Sequence, residues 1–259
     1  IPESTNQRRL IMDLVDIDSQ KWALYADNKS GFTSRVFTLE NKRLAAYEKR
    51  IVQTFDRISV VSEVEAQQLR NSTGEKNRIL GVGNGVDLKY FCSTNNKAQF
   101  PKNKGECELV FCGQMDYYPN VDAMVWFVHD VLPRLQLKLN SIYLTIVGNN
   151  PAKEIKKLAH KSEIKVTGQV EDVRPYLEKA DISIAPIRIA RGIQNKVLEA
   201  MAMKKPVVAT QQAFEGIDAD PGRDLLISRT EPEAFAESVS YLWEHPEKAL
   251  KIADRARQK

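Results

Sequence analysis

The chain is poor in the residues that build metal centres and disulfide frameworks. Its three cysteines, Cys92, Cys107 and Cys112, lack C-x-x-C spacing, which argues against a zinc site or a disulfide scaffold and fits a reducing cytoplasm. Its three histidines, His129, His160 and His245, are scattered and form no H-E-x-x-H motif, so surface or core roles account for them better than ligation. No segment approaches the ~20 consecutive apolar residues that span a bilayer. A strong charge of one sign is missing too. Thirty-eight basic against 34 acidic residues leave +4, too little and too dispersed for a nucleic-acid partner. The basic set Lys153, Lys156, Lys157 and Lys161 reads as one solvated helix face. The chain opens on Ile1 with no signal-peptide pattern, and is read as part of a longer protein.

What is there suits an α/β protein. At 259 residues, 42% hydrophobic and 28% charged, the chain has room for one large or two modest domains. Leu10–Ile17 predicts a buried parallel strand that delivers Asp16 and Asp18 at its carboxyl end. An Asp-x-Asp pair suggests a metal, but the two carboxylates are read as loop caps or cleft residues, and no metal is expected. Thr33–Thr54 predicts a long helix with Phe37, Leu44, Tyr47 and Ile51 on its apolar face. Arg57–Val61 and Ile79–Val82 read as strands. Between them Ser62 and Glu65 have the form of a capping box that opens a helix to about Arg70.

Gly81, Gly83 and Gly85 are evenly spaced, unlike the G-x-G-x-x-G of a dinucleotide site, and no amphipathic helix follows them. They predict a turn, with Asn84-Gly85 at positive φ, leading into a polar linker from Ser93 to Gly105. Residues 1–87 and 88–259 are the two expected domains. In the second, strands are expected at Glu108–Phe111, Ile142–Val147, Ile164–Thr167, Ile182–Ala185 and Pro206–Thr210, alternating with helices. Asn120 is the expected N-cap of a helix over Val121–Val131, and Thr230 with Glu233 caps a later helix running to Glu244. Such alternation predicts a doubly wound parallel sheet with its ligand at the carboxyl ends of the strands.

The most informative stretch runs from Arg188 to Thr210 as loop, helix and strand. Its helix begins near Gln194 or Asn195, where free N–H groups and the positive end of the helix dipole favour an anion. Gly192 permits close approach of a ligand to the backbone. Arg191 and Lys196 supply positive charge for phosphate oxygens. Glu199, one turn beyond Asn195, is suited to accept two hydrogen bonds from the vicinal diol of a ribose. Together these groups describe a nucleotide diphosphate. The alternative is an amphipathic helix that packs Val197, Leu198, Met201 and Met203 into a core and leaves Lys196 and Glu199 in solvent.

The run Gly192-Ile-Gln-Asn-Lys-Val-Leu-Glu-Ala-Met-Ala-Met203, followed by Pro206-Val-Val-Ala-Thr210, resembles the donor-site signature of glycosyltransferase family 4, retaining enzymes of GT-B fold. The stretches Asp13–Trp22 and Gly113–Ala123 narrow the resemblance to bacterial sugar transferases of exopolysaccharide and PEP-CTERM (exosortase) systems. That family carries two glutamates separated by seven residues. Glu199 matches the second, whereas Arg191 stands at the first, so sugar contacts are expected partly from the backbone of Gly192, Ile193 and Gln194.

The resemblance implies a hexosyltransferase-type enzyme using a nucleotide-diphosphate sugar, with no further cofactor, and a glycan or lipid-linked acceptor. It places the protein in the cytoplasm, with a peripheral contact at the inner face of the membrane as an option. It assigns Arg191, Lys196 and Glu199 to catalysis and binding of the donor's charged part. Gly113 and Gln114, Gly148, Gln169 and Val170, Arg188, Gly192, Ile193, Gln194 and Asn195 are assigned to the donor. In the loop after the first strand of the second domain the family's basic pair is replaced by Gln114 and Asp116, which shifts phosphate neutralisation towards Arg188, Arg191 and Lys196. With only three strands expected before residue 87, the chain should bind donor without turning it over. A nucleotide-sugar epimerase of the same fold and a non-catalytic nucleotide-sugar-binding fragment are the rival readings.

Overall fold

A computed structural model of the chain describes residues 9–27, 30–93, 100–101, 105–189 and 192–259. They form two compact units, parted between Asn84 and Gly85, with residues 192–193 and 215–217 grouped with the first. The linker expected over 93–105 lies largely outside the described residues.

The first unit contains strand β1 (Ile11–Val15), helices α1 (Asp18–Asp27) and α2 (Gly31–Thr54), strand β2 (Arg57–Val60), helix α3 (Glu63–Thr73) and strand β3 (Ile79–Gly81). The strands are parallel in the order β1-β2-β3, with Met12 opposite Ile58 and Ile58 opposite Ile79. Parallel neighbours need a crossover, which α1 with α2 and then α3 supply. Ile17, Ile51, Val52, Ile58, Val60, Ala66, Leu69 and Ile79 make the core. The expected capping box is half visible, since Ser62 accepts a bond from the Glu65 N–H at 3.2 Å, and α3 runs to Thr73 rather than Arg70.

Three expectations in this unit are corrected. Strand β1 is not buried: it lies at the sheet edge, with Ile11 68% and Val15 49% exposed. Tyr47 is not on the packed face of α2; the inward stripe takes Glu48 instead, which meets Ile51 at the correct helical spacing. None of Gly83, Asn84 and Gly85 has positive φ, and the chain forms no turn at these residues. The glycine that geometry requires is Gly81, where a Cβ would lie 2.5 Å from the backbone N of Glu63.

The second unit contains β4 (Glu106–Cys112), α4 (Tyr118–Trp126), a π-helical turn (Phe127–Val131), α5 (Leu132–Lys138), β5 (Ser141–Val147) and α6 (Lys153–Leu158). It continues through β6 (Ile164–Val166), α7 (Arg174–Lys179), β7 (Ile182–Ala185), α8 (Asn195–Ala202), β8 (Val207–Thr210) and α9 (Gln211–Phe214). Strand β9 (Leu226–Ser228) and helices α10 (Pro232–Glu244) and α11 (Pro246–Ala256) complete it. All six strands are parallel in the order β6-β5-β4-β7-β8-β9. The central strands β7 and β8 are buried at every position, which explains their unbroken apolar runs. The order reverses between β4 and β7, and at such a switch point the loops that leave the two strands diverge and open a crevice.

Two helix starts differ from expectation. Asn120 is not an N-cap; α4 begins at Tyr118, because Pro119 is tolerated in a first turn whose N–H groups need no partner. Thr230 does not cap α10 either. Its hydroxyl donates to Gln212 at 2.9 Å, while Glu231 takes the N-cap position and Pro232 the first turn. Arg257, just past α11, donates to the carbonyls of Leu88, Phe91 and Ala202, tying the residues after Gly85 to the end of α8.

Candidate donor site

In the second unit, the carboxyl ends of β4, β5 and β6 and the N-terminus of α8 enclose a cleft of about 460 Å³. That volume is within the range of sites for small organic ligands. Glycines permit the loops to approach one another. A Cβ on Gly148, whose φ is 154°, would lie 1.6 Å from the Gly113 carbonyl oxygen, so the loops after β4 and β5 are in backbone contact there. A Cβ on Gly113 would press on Asn120 Nδ2 at 2.8 Å and Lys196 Cε at 3.3 Å.

Lys196 is the central charge. Its Nζ donates to Asn120 Oδ1 at 2.9 Å and to Gln194 Oε1 at 3.1 Å, and lies 5.2 Å from the centre of the Phe111 ring. The residue as a whole is half-buried, and burial of its ammonium lowers the pKa to about 8. Cys112 and Glu199 act in the opposite direction. The Glu199 carboxyl is raised by burial, against the pull of Lys196. The Cys112 thiol is pushed up to about 12, mainly by burial. The Gln194 side chain, at the N-cap position of α8, makes no capping bond and is engaged with Lys196 instead.

The expected site residues fall into four groups. Gly113, Gln114, Gly148, Gln169, Val170, Asn195, Lys196 and Glu199 all line the cleft, and Gln194 adjoins it through Lys196. Arg188 does not line it. Its guanidinium makes a two-pronged ion pair with Asp122, at 2.9 and 2.5 Å, and lies 5.5 Å from the Trp126 ring. Gly192 and Ile193 group with the first unit and are not lining residues; Gly192, at φ +68°, runs so close to Asp16 that a Cβ would be 2.2 Å from its Oδ1. Arg191 lies outside the described residues.

Sequence reasoning missed Cys112, Asn120, Val147, Asn149 and Val173 among the lining residues. Asn120 is the instructive one. Its amide donates to the Gln114 carbonyl at 2.9 Å while its oxygen accepts from Lys196, so it joins the β4 loop to α8 across 76 residues. A local capping pattern hid that long-range role.

A family described as glycosyl transferases group 1 matches residues 106–245, more than half the chain. The chain belongs to this family. Among curated relatives, one from Bacillus subtilis (strain 168) bears the name teichuronic acid biosynthesis glycosyltransferase TuaC. It is 36% identical over 199 residues, 74% of this chain and 48% of the relative. Another from the same organism, named glycosyltransferase EpsD, is 23% identical over 84% of this chain and 57% of its own length. The chain therefore spans about half the length of the curated relatives it matches. Among solved structures, Anabaena HepE in complex with UDP and glucose is similar at a TM-score of 0.69 and 16% identity, over 97% of this chain and 66% of that one. WaaG, a glycosyltransferase involved in lipopolysaccharide biosynthesis, gives 0.69 at 17% identity, over 96% and 69%. At such identities the likeness shows the fold, which is the GT-B α/β type expected from the sequence.

Proposed function

We propose that the chain carries the donor site of a retaining glycosyltransferase. It would move a sugar from a nucleotide-diphosphate sugar to a polysaccharide or lipid-linked acceptor, at the cytoplasmic face of the membrane, in exopolysaccharide synthesis. The observation that carries this reading is the placement of Lys196 and Glu199 in one cleft at the carboxyl ends of a parallel sheet, beside the N-terminus of α8. Membership of the family supports it, as do a relative named for teichuronic acid biosynthesis and a similar fold solved with UDP and glucose.

In this reading the ribose diol donates to Glu199, and the diphosphate meets Lys196 and the first N–H groups of α8. The base lies against Gln169 and Val170. Arg191 adds positive charge for the diphosphate. The bond from the anomeric carbon to the diphosphate breaks, a bond to the acceptor oxygen forms on the same face, and the leaving phosphate takes the acceptor's proton. Positive groups that stabilise the departing diphosphate then supply most of the catalysis.

Calorimetry with UDP, GDP and their sugars tests the donor site, with micromolar to millimolar binding expected, about 4 to 8 kcal/mol. Absence of binding to every nucleoside diphosphate would overturn it. Incubation with bound nucleotide sugar and no acceptor separates the rivals, since an epimerase would return a changed sugar nucleotide.

A further inference from the structure

Helix α4 reaches two cations of the second unit and treats them differently. Its Asp122 pairs with Arg188 through both carboxylate oxygens, so that guanidinium is already neutralised. Two residues earlier, Asn120 meets the Lys196 ammonium with an amide oxygen at 2.9 Å, and Gln194 adds a second amide oxygen at 3.1 Å. Neither oxygen carries a formal charge. Glu199 acts on the ammonium across space rather than as a hydrogen-bond partner. Lys196 is therefore held by dipoles and keeps its charge, whereas Arg188 is held by a carboxylate and does not.

The position of Asn120 demands an amide. The residue is buried, and its nitrogen donates to the Gln114 carbonyl while its oxygen accepts from Lys196. A carbonyl only accepts and an ammonium only donates, so the nitrogen must face the first and the oxygen the second. Asp in its place would set a carboxylate oxygen against the Gln114 carbonyl, and Leu would satisfy neither partner. An ammonium has three N–H groups. Asn120 and Gln194 take two of them, which leaves one for a ligand in the cleft that Lys196 lines.

We propose that Asn120 and Gln194 are positioning residues of the donor site: they fix the Lys196 ammonium in the cleft without neutralising it, so that its charge and its third N–H go to the diphosphate. The inference rests on the donor-site reading above. A carboxylate at either position would satisfy the ammonium from within the protein and compete with the ligand's own negative charge. An amide orients the ammonium and leaves the ligand to neutralise it. The nucleoside part of a ligand gains nothing from this arrangement, so the two amides set the preference for a diphosphate over the bare nucleoside.

Calorimetry of the parent, Asn120→Ala, Lys196→Met and the double variant tests the assignment, with UDP against uridine and GDP against guanosine as probes. Asn120→Ala should weaken diphosphate binding about tenfold and leave nucleoside binding within about twofold. On the Lys196→Met background the same substitution should change diphosphate affinity by less than about twofold, because no ammonium remains to be positioned. Gln194→Ala leaves the bond from Asn120 to Gln114 intact. It should show the same pattern at about threefold, and it carries the test if Asn120→Ala does not fold. Asn120→Asp should bind diphosphate more weakly than the parent at pH 7 yet keep that binding to higher pH, since the added carboxylate joins Cys112 and Glu199 in holding the proton on Lys196. Equal losses for diphosphate and nucleoside, or an undiminished loss on the Lys196→Met background, would overturn the inference and reduce both amides to packing. A parent that binds neither diphosphate would bring down the donor-site reading and this inference together. A parent that binds, with both alanine variants matching it, would sink the inference alone.

Discussion

Lys196 carries a proton whose cost depends on what lies beside it. Its pKa is about 8 in the folded chain against an ordinary 10.5, so between those values the unfolded chain holds more protons than the folded one. Stability is therefore expected to rise as pH goes from 8 to 10.5, and Lys196→Met should flatten that slope in urea titrations. A diphosphate would pull the pKa back up. Nucleoside diphosphate affinity should then fall as pH rises through 8, with proton uptake on binding, measurable by calorimetry in buffers of different ionisation enthalpy. Binding of the unphosphorylated nucleoside should lack both effects. Glu199→Ala should weaken nucleotide binding by about 1.5 to 3 kcal/mol while leaving the fold intact. Unchanged affinity would remove Glu199 from the ribose. Gly148→Ala should cost about 1 to 3 kcal/mol in stability, because a Cβ there cannot coexist with the Gly113 carbonyl and the two loops must part. Wild-type stability in that variant would mean the loops separate easily.

At the scale of elements, legibility followed whether a signal was local. Strand β7 is legible at its observed bounds, Ile182–Ala185, from its apolar run, and the start of α8 is legible to within a residue from the loop that precedes it. Helix α4 was misplaced because Asn120 satisfies a local capping rule while its side chain is committed to Gln114 and Lys196, partners that only the folded sheet supplies. Of the eight expected cleft residues five follow strand ends and three lie on the first turns of α8, both local signals, but Arg188 meets Asp122 through a contact 66 residues away that no spacing rule reports. The α1 and α2 pair shows the same limit. Glu48 serves the first turn of α1 from another helix, accepting from the Ser19 N–H at 2.9 Å and its hydroxyl at 2.5 Å. Glu48→Ala should destabilise the first unit by about 1.5 to 3 kcal/mol and speed amide exchange in α1 first. Uniform exchange along α1 and α2 would argue that the carboxylate anchors neither end.

Across the whole molecule, each unit has its own sheet and core, and the proposed ligand lies in only one of them. Nucleoside diphosphate should slow amide exchange in β4, β5 and α8 and leave β1 to β3 at their unliganded rates. Protection spread equally over both sheets would place the nucleotide elsewhere. The distribution of sulfur offers a way to follow this without altering the chain. Cys92 is exposed, whereas Cys107 and Cys112 are buried at either end of β4, the strand whose carboxyl end floors the cleft. Burial raises both buried thiols, so neither forms the reactive thiolate while the sheet is closed. A thiol reagent added to the native protein should therefore modify one sulfur at once and the other two only as fast as the central strand is released. The chain thus holds its own clock for the opening of the second unit, and a nucleotide that occupies the cleft should slow that clock without touching the first, fast modification.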